Sequence, residues 1–535
     1  MDGAVTRRSF LGLVAQTGGA AALFNAMGAL DLHGEPAAPP FAPVGRAPAG
    51  IRVLVLGGGL AGLTAAYELQ KLGYACEVLE ARTRAGGRAC TVRRGFISEE
   101  IAPTGGQVCD FDEGLYFNPG PMRIPNTHAT TLAYCRELNV PLEMFTTVNE
   151  AAYAHSANTG TVATAKLRLR ELHADWRGIA SELLAKAAAR DTLDRPLSAD
   201  DKARLIEWLR SEGDLDATLR YAGTTRRGYR VLPGAGDAAG VVDDPIALID
   251  LLRTAFSGSL TTELWYQTTM LQPIGGMDAI PSALAARVRA IRLGAEVLAI
   301  EQPDGRVRVR YRDASGVHET SAHFAVCALP LTILRDMPMD VTSTVRDAIS
   351  SVRYMPVGKM GLQFKRRFWE EDEGIYSGIT RTDLDITQII YPSYGYHSAK
   401  GVVVGYYQNR PDAMELALAM GRRRPAERLE IALEQGAQIH PQYRQEFESG
   451  FSVSWQHVRY SRGGWALWTD EYRKREGYRA LCRPDGALYF AGDHVAWTTA
   501  WMQGAFQSGR ATAQAIHERA VATASSFAGE FRFPE

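Results

Sequence analysis

Apolar and polar residues alternate along the chain with both strand and helix periods, which predicts a mixed α/β protein. The run from Ile51 to Leu56 is apolar, rich in β-branched residues and as long as a buried strand. Residues 63–72 then repeat apolar positions with the period of a helix, and Gly73 is a candidate C-cap because it lacks a Cβ atom. A second strand is expected over residues 75–79. This order of elements predicts a β-α-β unit.

Later patterns predict further strands and a helical region between them. Arg306 to Arg312 alternate as in an exposed hairpin, and the apolar run from Phe324 to Pro330 predicts a buried strand. The Gly-rich loop 223–240 is a candidate gate over a site, and residues 345–478 are rich in alternating strands and aromatic residues. Amphipathic helices are expected near residues 163–190, 199–211 and 245–256.

The turn between the first strand and the first helix has the G-x-G-x-x-G pattern of dinucleotide-binding proteins. Its first glycine allows a tight turn, its second lets the backbone approach a pyrophosphate, and its third lets the helix pack on the strand. The helix N-terminus presents free N–H groups to phosphates, and an acidic residue after the second strand can accept from ribose. The residues predicted to hold the dinucleotide are Gly57, Gly59, Leu60, Ala61, Gly62 and Glu80.

A second Gly-rich turn follows the second strand, where residues 80–82 (EAR) lead into residues 85–88 (AGGR). Nicotinamide-dependent dehydrogenases do not require this element. It resembles the segment of the flavin amine oxidase family in which an arginine helps to neutralise the pyrophosphate of FAD. The resemblance changes the predicted cofactor from NAD to FAD. It implies cofactor contacts from Ala81, Arg82, Gly87 and Arg88.

The motif NPGPMRIP at residues 118–125 resembles the G-P-M-R-[IL]-P motif of L-amino acid oxidases in the same family. The resemblance implies that Arg123 binds the substrate carboxylate. It also implies that the flavin is lined by Gly120, Pro121, Met122 and Arg123. A planar guanidinium matches a carboxylate with two parallel, charge-assisted hydrogen bonds. The alternative is an arginine in a structural ion pair.

Three further matches come from the middle of the chain. Val297 aligns with a residue whose backbone meets the adenine of FAD. Lys359 aligns with a lysine that holds a water against flavin N5, so its catalytic role is implied by the resemblance alone, and a solvated outward lysine is the ordinary alternative. Tyr406 aligns with a tyrosine whose hydroxyl meets the substrate carboxylate; Tyr407 is the near alternative, and both are otherwise ordinary core aromatics.

The C-terminal segment resembles the flavin-ring site of the family. A strand ends at Asp493, which is implied to accept from FAD, and a helix opening near Met502 directs its positive end at the flavin. Trp501 and Trp465 are implied to form two walls of a substrate cage, beside Ala500, and Trp501 also meets the flavin.

Two departures concern the cofactor linkage and a base. Monoamine oxidases link their flavin to a cysteine after paired glycines, but here no cysteine lies between Cys327 and Cys482, so noncovalent FAD is expected. Some oxidases place a histidine from the helical domain over the pocket, and no histidine lies between His173 and His318. The presence of such a base is therefore an open question.

The N-terminus resembles a twin-arginine export signal. Arg7 and Arg8 precede an uncharged stretch rich in Gly and Ala up to Leu30, which is too weakly apolar for a stable membrane helix. We expect residues 1–30 to direct export of the folded protein to the periplasm or the medium, followed by a linker over 31–49. A chance Arg-Arg pair is the alternative.

Three interleaved domains are expected, with an α/β and α+β fold. The FAD-binding domain, Rossmann-like and of the GR2 type, must be discontinuous because its glycine fingerprint and its flavin-ring contacts lie at opposite ends of the chain. Its segments are 50–125, 275–340 and 480–520. A helical insertion domain is expected over 126–274 and a mixed-sheet substrate-binding domain over 345–478. We expect a homodimer.

Composition narrows the class of function. The chain has 535 residues, 46% hydrophobic and 22% charged, as in globular proteins of several domains. Lys plus Arg number 59 against 60 for Asp plus Glu, a net charge of −1, which argues against nucleic-acid binding. The six cysteines and eleven histidines are scattered without metal-ligand spacing. We therefore expect neither a metal site nor a disulfide scaffold.

The resemblance implies an FAD-dependent L-amino acid oxidase. Its substrates are O2 and an L-amino acid, neutral and bulky or aromatic because of the paired tryptophans, and its products are a 2-oxo acid, ammonia and hydrogen peroxide. Arg123 and Tyr406 anchor the carboxylate in this mechanism, and Lys359 with its water favours electron transfer to oxygen. The alternatives are an amino-acid 2-monooxygenase that forms an amide, a polyamine or monoamine oxidase, and a flavin protein without turnover.

Overall fold

The computed structural model of the chain describes residues 41–103, 106–158, 161, 164–254, 266–409 and 411–530. The predicted export signal lies outside the described residues. The strands, in chain order, are β1 (Arg52–Leu56), β2 (Ala75–Glu80), β3 (Leu142–Thr146), β4 (Tyr153–His155), β5 (Lys166–Arg168), β6 (Thr269–Pro273), β7 (Ile291–Leu293), β8 (Glu296–Glu301), β9 (Val307–Asp313), β10 (Gly316–Ala322), β11 (Phe324–Cys327), β12 (Arg353–Tyr354), β13 (Gly358–Phe364), β14 (Gly378–Thr382), β15 (Gln388–Tyr391), β16 (Gly401–Tyr407), β17 (Phe447–Ser454), β18 (Ala466–Leu467) and β19 (Leu488–Phe490). The helices are α1 (Leu60–Leu72), α2 (Ala129–Glu137), α3 (Leu169–Ala189), α4 (Ala199–Gly213), α5 (Leu248–Leu251), α6 (Ala279–Ala285), α7 (Leu331–Leu334), α8 (Ser343–Ser351), α9 (Phe368–Glu371), α10 (Met414–Gly421), α11 (Pro425–Ile439), α12 (Tyr443–Glu446), α13 (Asp470–Arg473), α14 (Glu476–Leu481) and α15 (Met502–Glu530).

Five parallel strands form one sheet, in the order β19-β11-β1-β2-β7. They come from all three ranges predicted for the FAD-binding domain. The central strand β1 pairs with β11 on one side and β2 on the other, and Val53 to Leu56 are buried. A strand covered on both faces by the protein is apolar throughout, which is the pattern seen in the sequence. The α/β part of the predicted fold is confirmed.

The predicted β-α-β unit and hairpin are present. Helix α1 follows β1 directly and ends at Gly73, whose φ of +102° is the left-handed C-cap that the sequence predicted. Helix α15 crosses α1 so closely that a Cβ atom on Gly509 would lie 2.5 Å from the carbonyl oxygen of Ala61. The alternating run from Arg306 forms β9, which pairs with β8 and β10 in an antiparallel sheet.

A seven-stranded mixed sheet forms the second layer, in the order β17-β13-β16-β15-β14-β4-β5. Only the β14–β4 pair is parallel. β4 and β5 come from the range 126–274, and so do β3 and β6, which pair in a separate two-stranded sheet. The prediction that this range is helical is therefore wrong for residues 142–146, 153–155, 166–168 and 269–273. Strands as short as β4 and β5, of three residues each, are too short for their periodicity to show in the sequence. The mixed sheet confirms the α+β part of the fold.

The helical region is built around α3 and α4, which match the first two predicted helices. In the third predicted range, 245–256, the described residues form only the single turn α5. The buried Asp175 of α3 accepts from Tyr221 Oη at 2.7 Å and pairs with Arg227 Nε at 2.7 Å, which fastens the start of the Gly-rich loop 223–240. No described helix is long and apolar enough to cross a membrane.

Candidate active site

An elongated cavity with about 1400 Å³ of free space, its open mouth included, lies between the parallel sheet and the mixed sheet. Its wall brings together residues from both ends of the chain. The predicted site residues that line it are Gly57, Gly59, Leu60, Ala61, Glu80, Ala81, Arg82, Gly87, Arg88, Gly120, Pro121, Val297, Lys359, Trp465, Asp493, Ala500, Trp501 and Met502.

Four predicted residues do not line this cavity: Gly62, Met122, Arg123 and Tyr406. Gly62 packs under the turn, where a Cβ atom would lie 2.1 Å from the carbonyl oxygen of Gly57; this is the helix-packing task predicted for it. Met122 is buried and lines a smaller neighbouring cavity with Phe145 and Tyr394. The prediction that Met122 lines the flavin site is therefore wrong, because the turn of the motif directs Gly120 and Pro121, but not Met122, to the large cavity.

The turn before α1 suits a pyrophosphate. A Cβ atom on Gly59 would meet no atom within 4 Å, so the backbone here borders open space. Gly59 is also the N-cap of α1, and no side chain caps the helix, so the N-terminal N–H groups have no side-chain acceptor. Free N–H groups and the positive end of the helix dipole favour an anion.

Glu80 closes the other side of this turn. Its Oε2 accepts from the backbone N–H of Gly58 at 2.7 Å and its Oε1 from that of Arg82 at 2.8 Å. A carboxylate has further lone pairs, so Glu80 can also accept from ribose hydroxyls. Arg82 is buried and donates to Glu99 at 2.7 Å and Ser461 at 3.0 Å, which holds this part of the wall.

The half-buried Arg88 and the buried Asp493 form an ion pair at the cavity wall, with 2.5 Å between Nη2 and Oδ1. Arg88 also donates to the carbonyl oxygen of Gly464. Burial alone would raise the pKa of Asp493, but the charges of Arg88 and His494 hold it below its usual range. Asp493 is therefore an ionised acceptor, and the backbone N–H of Ala500 donates to its Oδ2 at 3.3 Å.

Lys359 is buried, which excludes the solvated outward lysine of the alternative interpretation. Its Nζ donates to the carbonyl oxygens of Gly120 at 2.5 Å and Asn118 at 3.3 Å, and lies 4.2 Å from the centre of the Tyr407 ring. Burial and the charge of Arg123 hold the pKa of Lys359 well below its usual range. The Lys359 amine thus binds the backbone of the motif at residues 118–125, which also carries Arg123.

Arg123 is buried, with 7% of its surface exposed, and like Met122 it does not line the large cavity, so the prediction that it lines the flavin site is wrong. Its guanidinium carbon lies 5.2 Å from the centre of the Tyr266 ring and 5.8 Å from that of Phe145. Nε and Nη1 have no hydrogen-bond acceptor among the described residues. A buried cation with unused donors is costly unless an anion joins it. The alternative of a structural ion pair is not seen within the described residues.

The structure corrects the choice between the two tyrosines of β16. Lys359 pairs with Tyr407 and Met360 with Tyr406, and successive side chains of a strand point to opposite faces. Tyr406 packs in the core on the far face, so the prediction that it meets the substrate is wrong. Tyr407 lines the cavity, and burial raises its pKa to about 12, so its hydroxyl is a neutral donor.

Aromatic rings surround the same end of the cavity. Trp501 contacts the His128 ring edge-to-face at 4.8 Å and the Tyr266 ring at 5.7 Å. Trp465 and Trp455 line the wall with Trp501. Burial lowers the pKa of His128 to about 4, so this ring is neutral at physiological pH.

Four residues at this site are not predicted from the sequence: His128, Tyr266, Trp455 and His494. The first two contact Trp501, and the last two line the cavity. His128 follows the Arg123 motif by a few residues and His494 follows Asp493, so nearness to a motif was a usable signal for both. Tyr266 and Trp455 carry no local signal, because only the folding of distant segments brings them to the cavity.

The chain is similar to known proteins over most of its length. The family model for flavin containing amine oxidoreductases matches residues 60–517. The flavin-dependent L-tryptophan oxidase RebO of Lentzea aerocolonigenes is 30% identical over 500 residues, 87% of this chain and 98% of that protein. The L-amino-acid oxidase of Crotalus adamanteus is 26% identical over 489 residues, 87% of each chain. A solved structure of wild-type putrescine oxidase bound to putrescine has a TM-score of 0.57 at 20% identity, covering 87% of this chain and 98% of that one, which is a likeness of fold.

Proposed function

The chain belongs to the flavin containing amine oxidoreductase family and is an FAD-dependent oxidoreductase, and we propose that it oxidises L-amino acids. The overall reaction converts the amino acid, O2 and water into a 2-oxo acid, ammonia and hydrogen peroxide. When bound, FAD supplies the redox chemistry by accepting hydride from the substrate and passing electrons to O2. The protein supplies binding, orientation and the electrostatic field.

Arg123 is the observation that carries the proposal. A substrate carboxylate would give Nε and Nη1 the acceptors that the described residues do not provide. An amine substrate brings no anion, so it would leave this buried charge without a partner. The names of two relatives, the L-tryptophan oxidase RebO and the L-amino-acid oxidase of Crotalus adamanteus, support the same substrate class. The likeness to putrescine oxidase concerns the fold alone.

The surrounding residues fit the other parts of an amino acid. Tyr407 is a neutral donor close to the Arg123 charge, so its hydroxyl can join the guanidinium on the carboxylate. Trp501 and Trp465 offer flat walls to the side chain. The carboxylates among the described lining residues are Glu80, Glu296 and Asp493, and each already has a partner within the protein: the backbone N–H groups of Gly58 and Arg82, Arg312, and Arg88, respectively. A neutral, bulky or aromatic side chain is therefore the proposed specificity.

Product analysis tests the proposal. Purified, FAD-loaded protein is offered each of the twenty L-amino acids, with the D-enantiomers, putrescine and cyclohexylamine as controls. We expect peroxide and ammonia in equal amounts with L-amino acids, greatest with large neutral side chains. An amide in place of ammonia would indicate a 2-monooxygenase. Turnover of amines alone would contradict the proposal, and so would a flavin that no substrate bleaches in the absence of air.

We also propose that the protein is exported through the twin-arginine route. The support is Arg7 and Arg8 ahead of an uncharged Gly/Ala-rich stretch. This route carries folded proteins, which suits a protein that acquires FAD before export. Cell fractionation of the wild type and an R7K/R8K variant checks it, and we expect the variant to remain in the cytoplasm.

A further inference from the structure

The turn that carries Trp501 is clamped to the start of α2 by one buried amide. Gln503 Oε1 accepts from the backbone N–H of Thr131 at 3.0 Å and from its hydroxyl at 3.2 Å, and Nε2 donates to Thr130 Oγ1 at 3.2 Å. Gln503, Thr130 and Thr131 are all buried. Three hydrogen bonds thus join residues more than 370 positions apart.

Gln503 supplies the N-cap that α2 lacks. The helix begins at Ala129, and the side chain of its N-cap residue, His128, makes no capping hydrogen bond. The N–H of Thr131 is the third in the helix, one of those that a capping side chain normally satisfies. Here the acceptor is the Gln503 side chain of α15. The N-terminus of α2 is therefore capped by a residue that lies two positions after Trp501.

The turn at residues 500–503 links Trp501 to the segment that follows Arg123. Trp501 lies two residues before Gln503 and packs on His128, and α2 starts shortly after Arg123 in the chain. Ala500, which precedes Trp501, has a φ of +72°, a strained conformation for a residue with a Cβ atom. A strained backbone keeps its conformation only where the surroundings hold it. Asp493 holds this turn on one side through the Ala500 N–H, and Gln503 holds it on the other.

We propose that Gln503 is a positioning residue for substrate binding, which fixes the Trp501 wall against the segment that carries Arg123. This inference rests on the proposed function for the identity of the substrate. The clamp itself does not depend on whether the substrate is an amino acid or an amine, because Trp501 bounds the cavity in either case.

The test compares Gln503→Leu with Gln503→Glu. Leucine removes the acceptor and leaves the Thr131 N–H buried without a partner. Glutamate keeps both contacts to Thr131, and the Thr130 hydroxyl can turn its hydrogen toward it. Gln514→Leu is the matched control, since Gln514 lies on the same helix and its side chain bonds only to the exposed Glu518 among the described contacts.

We expect Gln503→Leu to raise KM about tenfold, with a smaller change in kcat, since one unsatisfied buried N–H is worth about that factor. In the Gln503→Leu variant, amide hydrogen exchange in the peptides 126–137 and 493–503 should become about tenfold faster, as measured by mass spectrometry. Gln503→Glu and Gln514→Leu should stay close to the wild type. Thr130→Val, which removes only the third bond, should give an intermediate KM if Gln503→Leu does not fold.

Unchanged KM in Gln503→Leu, with or without faster exchange, would overturn the positioning role. So would a Gln503→Glu variant as impaired as Gln503→Leu. Measurements on the wild type distinguish this outcome from failure of the proposed function. If the wild type oxidises only an amine, the KM values of the variants are compared with that amine as substrate. The amide-exchange measurement needs no substrate.

Discussion

Lys359 lines the aromatic end of the cavity and Arg123 lies buried against the Tyr266 ring beside it. The environments of these two cations differ from that of Arg88. Arg88 has the carboxylate of Asp493 within 2.5 Å. Lys359 has carbonyl acceptors but no carboxylate partner among the described residues, and its burial and the charge of Arg123 disfavour its protonated form. The charge available to a substrate at this end is therefore the guanidinium of Arg123.

Replacing Arg123 with methionine should raise KM for L-amino acids at least about 100-fold, because two hydrogen bonds to a charged group are lost. FAD content should stay close to that of the wild type. Steady-state kinetics and the flavin absorbance of the purified variant check both. Arg462→Met removes an exposed surface guanidinium and serves as the control. An unchanged KM in the Arg123 variant would contradict the carboxylate role.

Replacing Lys359 with methionine should make the protein more stable, most clearly at low pH. Because the pKa of Lys359 is lowered on folding, the unfolded chain binds a proton that the folded chain does not, so wild-type stability rises with pH up to the ordinary lysine pKa. The methionine variant lacks this dependence. Denaturant unfolding at a series of pH values should show a gap between the two proteins that narrows as pH rises toward 10.5. A gap that does not change with pH would contradict a lowered pKa for Lys359.

At the scale of single elements, the strand-turn-helix at the start of the fold separates two tasks of glycine. At Gly62 the nearest atom to an added Cβ is the Gly57 carbonyl oxygen, at 2.1 Å, whereas at Gly59 nothing lies within 4 Å. The first position is a packing requirement within the protein. The second is open space that a cofactor would fill.

The two alanine substitutions should therefore differ. Gly62→Ala should lower the Tm of the FAD-free protein by about 3 °C or more, because the turn and α1 must move apart. Gly59→Ala should leave that Tm nearly unchanged and raise the Kd for FAD about tenfold, since its methyl group occupies the cofactor's space. Thermal scans and fluorescence titration with FAD measure the two effects. If Gly62→Ala and Gly59→Ala changed the Tm and the Kd for FAD by equal amounts, the separate tasks of the two glycines would be contradicted.

At the scale of the whole molecule, a polar cluster around Glu373 joins the inserted strands β4 and β5 to the segments that follow α9 and α11. Glu373 lies 3.5 Å from Arg168, 4.0 Å from Lys166 and 3.3 Å from His440, and accepts from Tyr153. Burial alone would raise the pKa of Glu373, but the hydrogen bonds from His440 and Tyr153 and the charge of Lys166 lower it to about 2. The carboxylate of Glu373 is therefore ionised in the folded protein at pH values near neutrality.

Glu373→Gln should lower Tm by about 3 °C at pH 7. A carboxyl group whose folded pKa is depressed stabilises the fold above its unfolded pKa, near 4.5, and loses this contribution as pH falls toward 2. The difference in Tm between wild type and variant should therefore shrink below about pH 4.5. Calorimetry from pH 7 to pH 3 measures it. Glu371→Gln, which changes an exposed carboxylate two residues earlier, should have little effect at any pH.

Most of the nucleotide-binding half could be predicted from the sequence, whereas much of the substrate half could not. Four of the five strands of the parallel sheet and the cofactor turn could be predicted, as Gly73 and Gly59 illustrate, whereas the three-residue strand β7 could not. The error at Tyr406 arose because an alternating strand shows which residues share a face but not which face meets the cavity. The error at Met122 has the same origin, since a turn's direction depends on what it packs against.

The sequence by itself determined the β-α-β unit, its glycine turn and the acidic and basic residues beside it, because periodicity and glycine conformation act over a few residues. Only the tertiary structure decided the rest. It paired Arg88 with Asp493, 405 positions away, placed Tyr407 rather than Tyr406 beside Lys359, and set the amide of Gln503 on α2. These contacts join segments that no local pattern relates, and burial in one shared core brings them together.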